Sequence, residues 1–492
     1  MKKYNIYHPI NFAILLIVIS LSACKDYLTI APETSLIKDK FWTKTEDVYS
    51  ALAATYNSYR DASLKTFIWG ELRADLATFD GATVSNYANI AASNINSTNP
   101  EIDWSQNYKT INLANTLMYY ENVVMAKDKT FTQKMKNGVD AEALFLRSLT
   151  YFNLVRVWKE IPLMIEPSLS DTSNLYLAKS SEKVVIKQII SDLLIAKDKA
   201  YTTEFKYDGS PAAYFTGRAN KYSIMALLAD VYLWDQQYQN CINYCDSLTN
   251  TGLYALEDNS TWFDIYFPKE HPSVETIFEI KFDDNLEGQE NPLYYNLVVL
   301  PKGSDAMKLN DKNITSLFNK EDLRMCGTNK PIWKWRGMDA TNAVPRSNTQ
   351  RSGNFIYYRY ADVILMKAEA EIELNNISEA NGLLRLTQDR AAFSYTPEDI
   401  LVKKDLRKAL QDERGREFVV EGKRWFDLLR AAKRNHFENK QLIIDMILSG
   451  ADIKQQAILR TKVYDTMSYY LPIPEHEIIY NQNLVQNPFY NR

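Results

Sequence analysis

The chain has 492 residues, 46% of them apolar and 24% charged, with 57 basic against 61 acidic side chains and a formal net charge of −4. This mildly acidic balance, without charge blocks, excludes nucleic acid as an expected partner, while the apolar fraction is sufficient for a large core. Only 15 Gly against 32 Tyr argue against a β-sandwich or barrel, which needs many tight turns, and leave the tyrosines either to helix packing or to stacking on sugar rings.

Taken in chain order, the first element is a leader. Lys2 and Lys3 precede an apolar stretch from Phe12 to Ile19 that is too short to span a bilayer. Leu21-Ser22-Ala23-Cys24 follows and resembles a bacterial lipobox. That resemblance implies cleavage after residue 23 and diacylation of the Cys24 thiol. Two or more acyl chains anchor a protein stably where one does not. Loss of residues 1–23 removes two lysines and no acid, so the mature chain would carry −6.

Helical periodicity begins at about Thr45–Tyr59 and resumes at about Ser105–Ala126, with an irregular segment rich in Asn, Ser and Thr at 75–103 between them. A long helix is expected over 140–158, with Phe145, Leu149 and Phe152 on one face. Tyr222, Ala226, Ala229 and Leu233 recur at four, three and four, and a second helix carries Cys241, Tyr244 and Cys245. Residues 276–282 alternate as a strand, and Pro331–Arg336 reads as another short one inside an irregular region at 283–355. Ala361, Leu365, Ala368 and Ile372 mark a helix over 359–374. Ala380, Leu383, Leu384 and Ala391 mark its partner, with Ser378 as the expected N-cap. Pairs of this size match one tetratricopeptide repeat, ~34 residues.

Cys241 and Cys245 point the same way from successive turns, which is poor disulfide geometry, so they read as small buried hydrophobes. With Cys326 and three mature-chain histidines, no His/Cys metal cluster and no cofactor site is expected. There is no Gly-x-Ser-x-Gly elbow and no His-Glu-x-x-His helix.

The sharpest pattern is C-terminal. Glu413, Glu417 and Glu421 form one i, i+4 row among Arg414, Arg416 and Arg424, followed by Trp425-Phe426-Asp427-Leu428. Like charges in such a row repel unless paired. Two readings stand: a pair of glycosidase carboxylates, or a structural ion-pair network locking helices together. Interleaved arginines lower carboxylate pKa values and remove the general acid, which favours the network.

This segment resembles the C-terminal core of the SusD/RagB family. Further stretches fit in order: Leu144-Phe145-Leu146-Arg147, Tyr151–Trp158 before Ile161-Pro162-Leu163, Gly217-Arg218-Ala219, Arg359–Leu365 with Ala368-Glu369-Ala370, and Leu471-Pro472-Ile473-Pro474 with Asn483–Pro488. Asp26-Tyr27-Leu28 behind the lipid cysteine also fits. The resemblance implies a mainly α SusD-like fold, with about four tetratricopeptide-like helix pairs scaffolding an irregular ligand-binding half with a few short strands. Residues 24–230 and 231–492 would form its N- and C-terminal regions within one body. It implies no catalysis. It implies a lipid-anchored, surface-exposed outer-membrane protein that captures a glycan and passes it to a SusC-like TonB-dependent transporter. The RagB branch leaves an oligopeptide as the alternative ligand.

Ligand residues in such proteins lie in variable loops, so candidates are chosen by chemistry: aromatic faces with amide or carboxylate partners. The first loop offers Asp75, Phe79, Asp80, Asn86 and Tyr87, together with Asn89 and Asn94. The second offers Asn285, Gln289, Tyr294 and Tyr295, together with Asp283, Asp284 and Asn291. Trp333 and Trp335 share a strand face, either as a sugar platform or as a buried pair. Trp42, Trp104, Trp158, Trp262 and Trp425 are expected in the core, and Trp69 is left open.

Overall fold

The computed structural model describes residues 41–80, 86–169, 175–202, 216–262, 265–266, 273–283, 285–286, 289–293, 306–325, 334, 352–449 and 453–491. Cys24, Cys326, Tyr294, Tyr295, Trp333 and Trp335 lie outside the described residues.

The chain folds as packed helix pairs. Helix α1 (Thr45–Glu71) is followed by strand β1 (Ala77–Asp80) and short helix α2 (Asn86–Ala91), then by α3 (Ser105–Lys127), which packs on α1. Next come α4 (Gln133–Trp158), strands β2 (Ile161–Pro162) and β3 (Lys179–Ser180), and α5 (Glu182–Lys199), which packs on α4. Helices α6 (Lys221–Trp234) and α7 (Tyr238–Thr249) form a third pair. After β4 (Thr276–Ile280), β5 (Ala306–Leu309), α8 (Asp311–Leu317) and β6 (Phe355–Arg359) comes the fourth, α9 (Tyr360–Glu373) with α10 (Ile377–Arg390). Helices α11 (Lys403–Glu417), α12 (Arg424–Phe437), α13 (Gln441–Ser449), α14 (Ile453–Arg460) and α15 (Glu475–Tyr480) complete the chain.

Sheet is minimal. β1 pairs with β5, β2 with β3, and β4 with β6, all antiparallel two-stranded ribbons. The described strand ends at Ile280, two residues short of the sequence expectation. The irregular segments hold more structure than their sequence shows: β1 and α2 fall inside 75–103, and β5 and α8 inside 283–355.

Local chemistry sets the helix starts. The Asp47 carboxylate accepts from the Thr43 and Lys44 amides, both at 2.9 Å, satisfying donors beside the first turn of α1. Asn220 caps α6, its Oδ1 accepting from the amides of Tyr222 (2.9 Å) and Ser223 (3.1 Å) while its own amide donates to the Ser223 hydroxyl at 2.9 Å. Asn376, not Ser378, occupies the cap position of α10, without a side-chain cap bond, because the helix begins two residues earlier than the sequence suggests.

Helix α4 is the axle of the core. Every residue from Gly138 to Trp158 is buried. Among its polar members, Arg147 donates to Asp192 through Nε and Nη2, both at 2.9 Å, and to Asn115 at 2.7 Å. Trp158 meets Trp69 edge-on at 4.9 Å between centroids and Trp104 at 5.0 Å. All five tryptophans expected in the core are buried, and Trp69 joins them.

The C-terminal segment closes over this axle. The Leu471 amide donates to the Val157 carbonyl (2.9 Å), Trp158 Nε1 to the Pro472 carbonyl (2.8 Å) and Arg73 Nη2 to the Tyr469 carbonyl (2.8 Å). The turn after α11 docks equally tightly on α1. A Cβ on Gly70 would lie 1.8 Å from the Gly422 carbonyl oxygen, so only glycine permits this approach. The neighbouring Glu71 carboxylate accepts from the amides of Val420 and Gly422, each at 3.0 Å, and holds a turn in which both residues have positive φ (56° and 74°).

Candidate functional site

The glutamate row resolves into a buried electrostatic lock. Glu413 and Glu417 lie near the end of α11 and Glu421 in the turn beyond it. Their main partners come from distant elements rather than from the interleaved arginines. Arg324 donates to Glu413 (2.7 Å), Glu417 (2.9 Å) and both oxygens of Asp322. Arg359, at the end of β6, reaches Glu275 (2.5 Å), Glu417 (2.6 Å) and both oxygens of Glu421 (3.1 and 3.0 Å). Arg390 joins Glu417 and Glu275, and Lys334 donates to Glu421 at 2.5 Å. Of the three interleaved arginines only Arg416 pairs within the row, with Glu413; Arg414 turns to Asp427 and Arg424 to Asp75. Burial alone would raise the carboxyl pKa values, but Arg390, Arg359 and Arg324 hold Glu417 well below the usual range, and Arg359 with Lys334 hold Glu421 at about 2. Neither carries a proton at neutral pH, so this pair does not act as a glycosidase acid and base.

The loop candidates divide into locked and presented groups. Asp75 receives Arg424 through Nε (2.8 Å) and Nη2 (3.0 Å); burial opposes its ionisation but Arg424 lowers its pKa. This pairing pins the start of the loop to α12. Asn291, fully buried, donates to the Gly353 carbonyl and accepts from the Leu293 amide, and so is also structural.

Phe79 and Tyr87 are brought together. Phe79 sits opposite Met307 in the β1–β5 ribbon, Tyr87 lies on α2, and their rings are 5.3 Å apart at 44°. Both are half-buried. Burial, then Glu101, pushes the Tyr87 hydroxyl up to about 12, so it stays a neutral donor. Asn86 is exposed beside it, its carbonyl accepting from Asn99. The backbone of Asp80 pairs with Ala306. In the second loop, Asp283 accepts from the amide and side chain of Asn285, both at 2.9 Å, which leaves Asn285 exposed in an Asx turn.

Gln289 goes elsewhere. It lines a cleft of about 530 Å³ between the N-terminal half of α1, the Gly217-Arg218 segment and strand β4. Tyr49, Ala53, Tyr56, Asn57 and Arg60 present one face of α1 to it. The Tyr56 hydroxyl donates to Glu142 (2.6 Å) and accepts from the Ala219 amide (2.8 Å); Arg218 forks onto the same Glu142 at 3.0 and 2.5 Å. Sequence reasoning missed this wall. Its signal was an i, i+4, i+7, i+11 row carrying tyrosines and an arginine where a purely packing face would be aliphatic.

Elsewhere, His476 Nε2 lies 3.6 Å from Asp103 and 3.5 Å from Glu477, the one group of three metal-type ligands among the described residues. Lys65 already approaches Asp103 at 3.4 Å. Cys241 and Cys245 are buried and unbridged. No described helix is long and apolar enough to cross a membrane.

The helical scaffold carries a buried ion-pair network, a half-buried ring pair and an open cleft with room for a ligand. Comparison with known proteins gives the class. The family described as "SusD family" matches residues 275–490, and that described as "Starch-binding associating with outer membrane" matches 26–233. A SusD-like protein of Formosa agariphila is 26% identical over 486 residues, covering 88% of this chain and 93% of its own length; a second from the same organism is 23% identical, covering 84% and 88%. A SusD superfamily protein of Bacteroides vulgatus superposes with a TM-score of 0.73 at 21% identity, over 91% of this chain and 100% of its own. The chain belongs to the SusD/RagB family.

Proposed function

We propose that this protein captures an oligo- or polysaccharide at the outer membrane, tethered by lipid on Cys24, and delivers it to a SusC-like TonB-dependent transporter. The observation that carries the reading is the Phe79–Tyr87 pair, two half-buried rings held at 5.3 Å on short elements inside a polar loop, in a chain of this family. Rings so held offer apolar faces to a sugar, and the Tyr87 hydroxyl and Asn86 amide offer hydrogen bonds beside them. The four helix pairs supply rigidity.

Isothermal titration of the mature chain against a glycan panel tests this. Wild type is expected to bind at least one glycan, and Tyr87→Ala to weaken that binding about tenfold, or about 1.4 kcal/mol, with the melting temperature little changed. Binding of peptides with no binding of any glycan would overturn the sugar reading in favour of oligopeptide capture. For the anchor, Cys24→Ala is expected to move the protein from the membrane to the soluble fraction with glycan affinity intact. Retention of that variant in the membrane fraction would rule the lipid tether out.

A further inference from the structure

The cleft between α1 and β4 is lined by more cations than acids, although Glu142 behind it already pairs with Arg218. The chain as a whole is acidic, at −4, yet Arg60, Arg218 and Lys281 all line this cavity with Glu279 as its one lining acid. Glu279 is engaged from elsewhere: it accepts from Thr216 at 2.7 Å and from Asn354 at 2.9 Å, and its oxygen stands 3.6 Å from the Lys281 ammonium. Arg60 is the least neutralised of the three cations. Its nearest carboxylate among the described residues is that of its own neighbour, Asp61, at 4.0 Å, and its side chain is 19% exposed. Lys281 and Arg218 are each about a third exposed, at 31% and 32%. The Lys281 stem passes over Gly217, where even a Cβ would come within 3.2 Å of it. A side chain at Gly217 would make this lysine give way by a few tenths of an ångström.

Cations in a concave, low-dielectric wall focus a positive potential inward. A neutral ligand gains nothing from that potential. An anion gains a charge-assisted contact, and an arginine fork matches a carboxylate or sulfate in two-point geometry. The same wall carries Tyr49 and Tyr56 two turns apart on one helix face, with the Gln289 amide nearby. Rings and cations lining one groove suit a chain of pyranoses bearing acid groups.

We propose that this cleft binds the acidic portion of an anionic saccharide, a uronate or a sulfate ester, with Arg60 and Lys281 as the charge-reading residues. The proposal rests on the glycan reading above and gives it a substrate class.

The test is titration of the mature protein with three tetrasaccharides: tetragalacturonate, a sulfated chondroitin tetrasaccharide and maltotetraose, each at 50 and 500 mM NaCl. At least one acidic probe is expected to bind about tenfold or more tighter than maltotetraose, and to lose about tenfold at the higher salt, where screening shortens the reach of surface charge. Whether the uronate or the sulfated probe is preferred identifies the acid group. Arg60→Gln is expected to remove that preference, with the melting temperature unchanged. Arg60→Lys should restore part of it, and Lys281→Gln is the second arm. Binding of maltotetraose as tightly as the acidic probes, or acidic binding indifferent to both Gln variants, overturns this inference and leaves the glycan reading standing. Binding of no saccharide at all, or of an acidic peptide only, overturns both.

Discussion

Arg359→Ala is expected to cost at least about 3–5 kcal/mol of folding stability, a large fraction of the ~5–15 kcal/mol that holds a typical domain. The guanidinium is fully buried and donates to Glu275, Glu417 and Glu421, so its removal strands three desolvated carboxylates with only Arg390, Arg324 and Lys334 to share. Arg359→Lys should recover little, because a single ammonium cannot reproduce a planar fork that grips three acids at once. The lock also ties β6 to α11, the turn after it and the residue preceding β4, so the damage is to the docking of elements and not to one helix. Urea unfolding monitored by circular dichroism measures it. A shift below about 1 kcal/mol would show that the network is replaceable. The control is Lys408→Ala, whose partner Asp412 lies one turn along an exposed face and whose loss should stay within about 0.5 kcal/mol.

The second large effect is loss of stability in acid. Glu417 is held well below the usual carboxylate range, Glu421 at about 2, and Glu369 well below its ordinary value; in each case burial opposes ionisation and the buried arginines overcome it, Arg430 and Arg434 doing so at Glu369. A carboxylate whose folded pKa is depressed contributes stability that is fully present above its unfolded value, about 4.3, and is lost as pH falls through the folded one. These three therefore withdraw support together between about pH 4.5 and pH 2. Glu121 acts in the opposite sense. Burial, then its contact with Asp140, raises it to about 9, so its contribution is present below about pH 4.5 and declines as pH rises towards 9. The urea midpoint should accordingly peak near pH 5 and fall steeply below pH 4. A midpoint still level at pH 3 would contradict the lock as a source of stability.

The sequence was legible where one face of an element meets water. Ala380 and Leu384 are buried on α10, a helix whose other side carries the exposed Ser378, Glu379 and Asp389, so the period shows. It failed in the second half of α1, where every residue from Thr66 to Glu71 is buried and no stripe can stand out; the helix runs twelve residues beyond the expected Tyr59. β1 and α2, four and six residues long, fall below the length at which any period can be read. Charge partners were illegible for a different reason. Glu417 pairs with Arg324 and Arg359, which lie 93 and 58 residues away in the chain, and nothing in local sequence announces such a contact. Polar loop residues mislead in the same way: Asp75 and Phe79 look equally available in sequence, but the first is spent on Arg424 while the second is presented beside Tyr87. The Arg60 face of α1 was readable in principle, as tyrosines and a cation on a stripe that packing would fill with aliphatics.

The closure of the C-terminal segment over α4 fixes the order in which this molecule can be completed. The carbonyl of Val157 and the indole of Trp158 wait for Leu471 and Pro472, more than three hundred residues later, and Arg73 waits for the carbonyl of Tyr469. Contacts of such sequence separation form late, after the entropy of a long loop has been overcome. A chain emerging N-terminus first therefore holds the buried Gly138–Trp158 stretch of α4 only partly covered until residues 469–472 are available. Its exposure to proteases and to self-association is then set by how quickly the segment from Tyr469 to Pro472 arrives, and a nonsense mutation just before that segment would harm the chain almost as much as one in the middle.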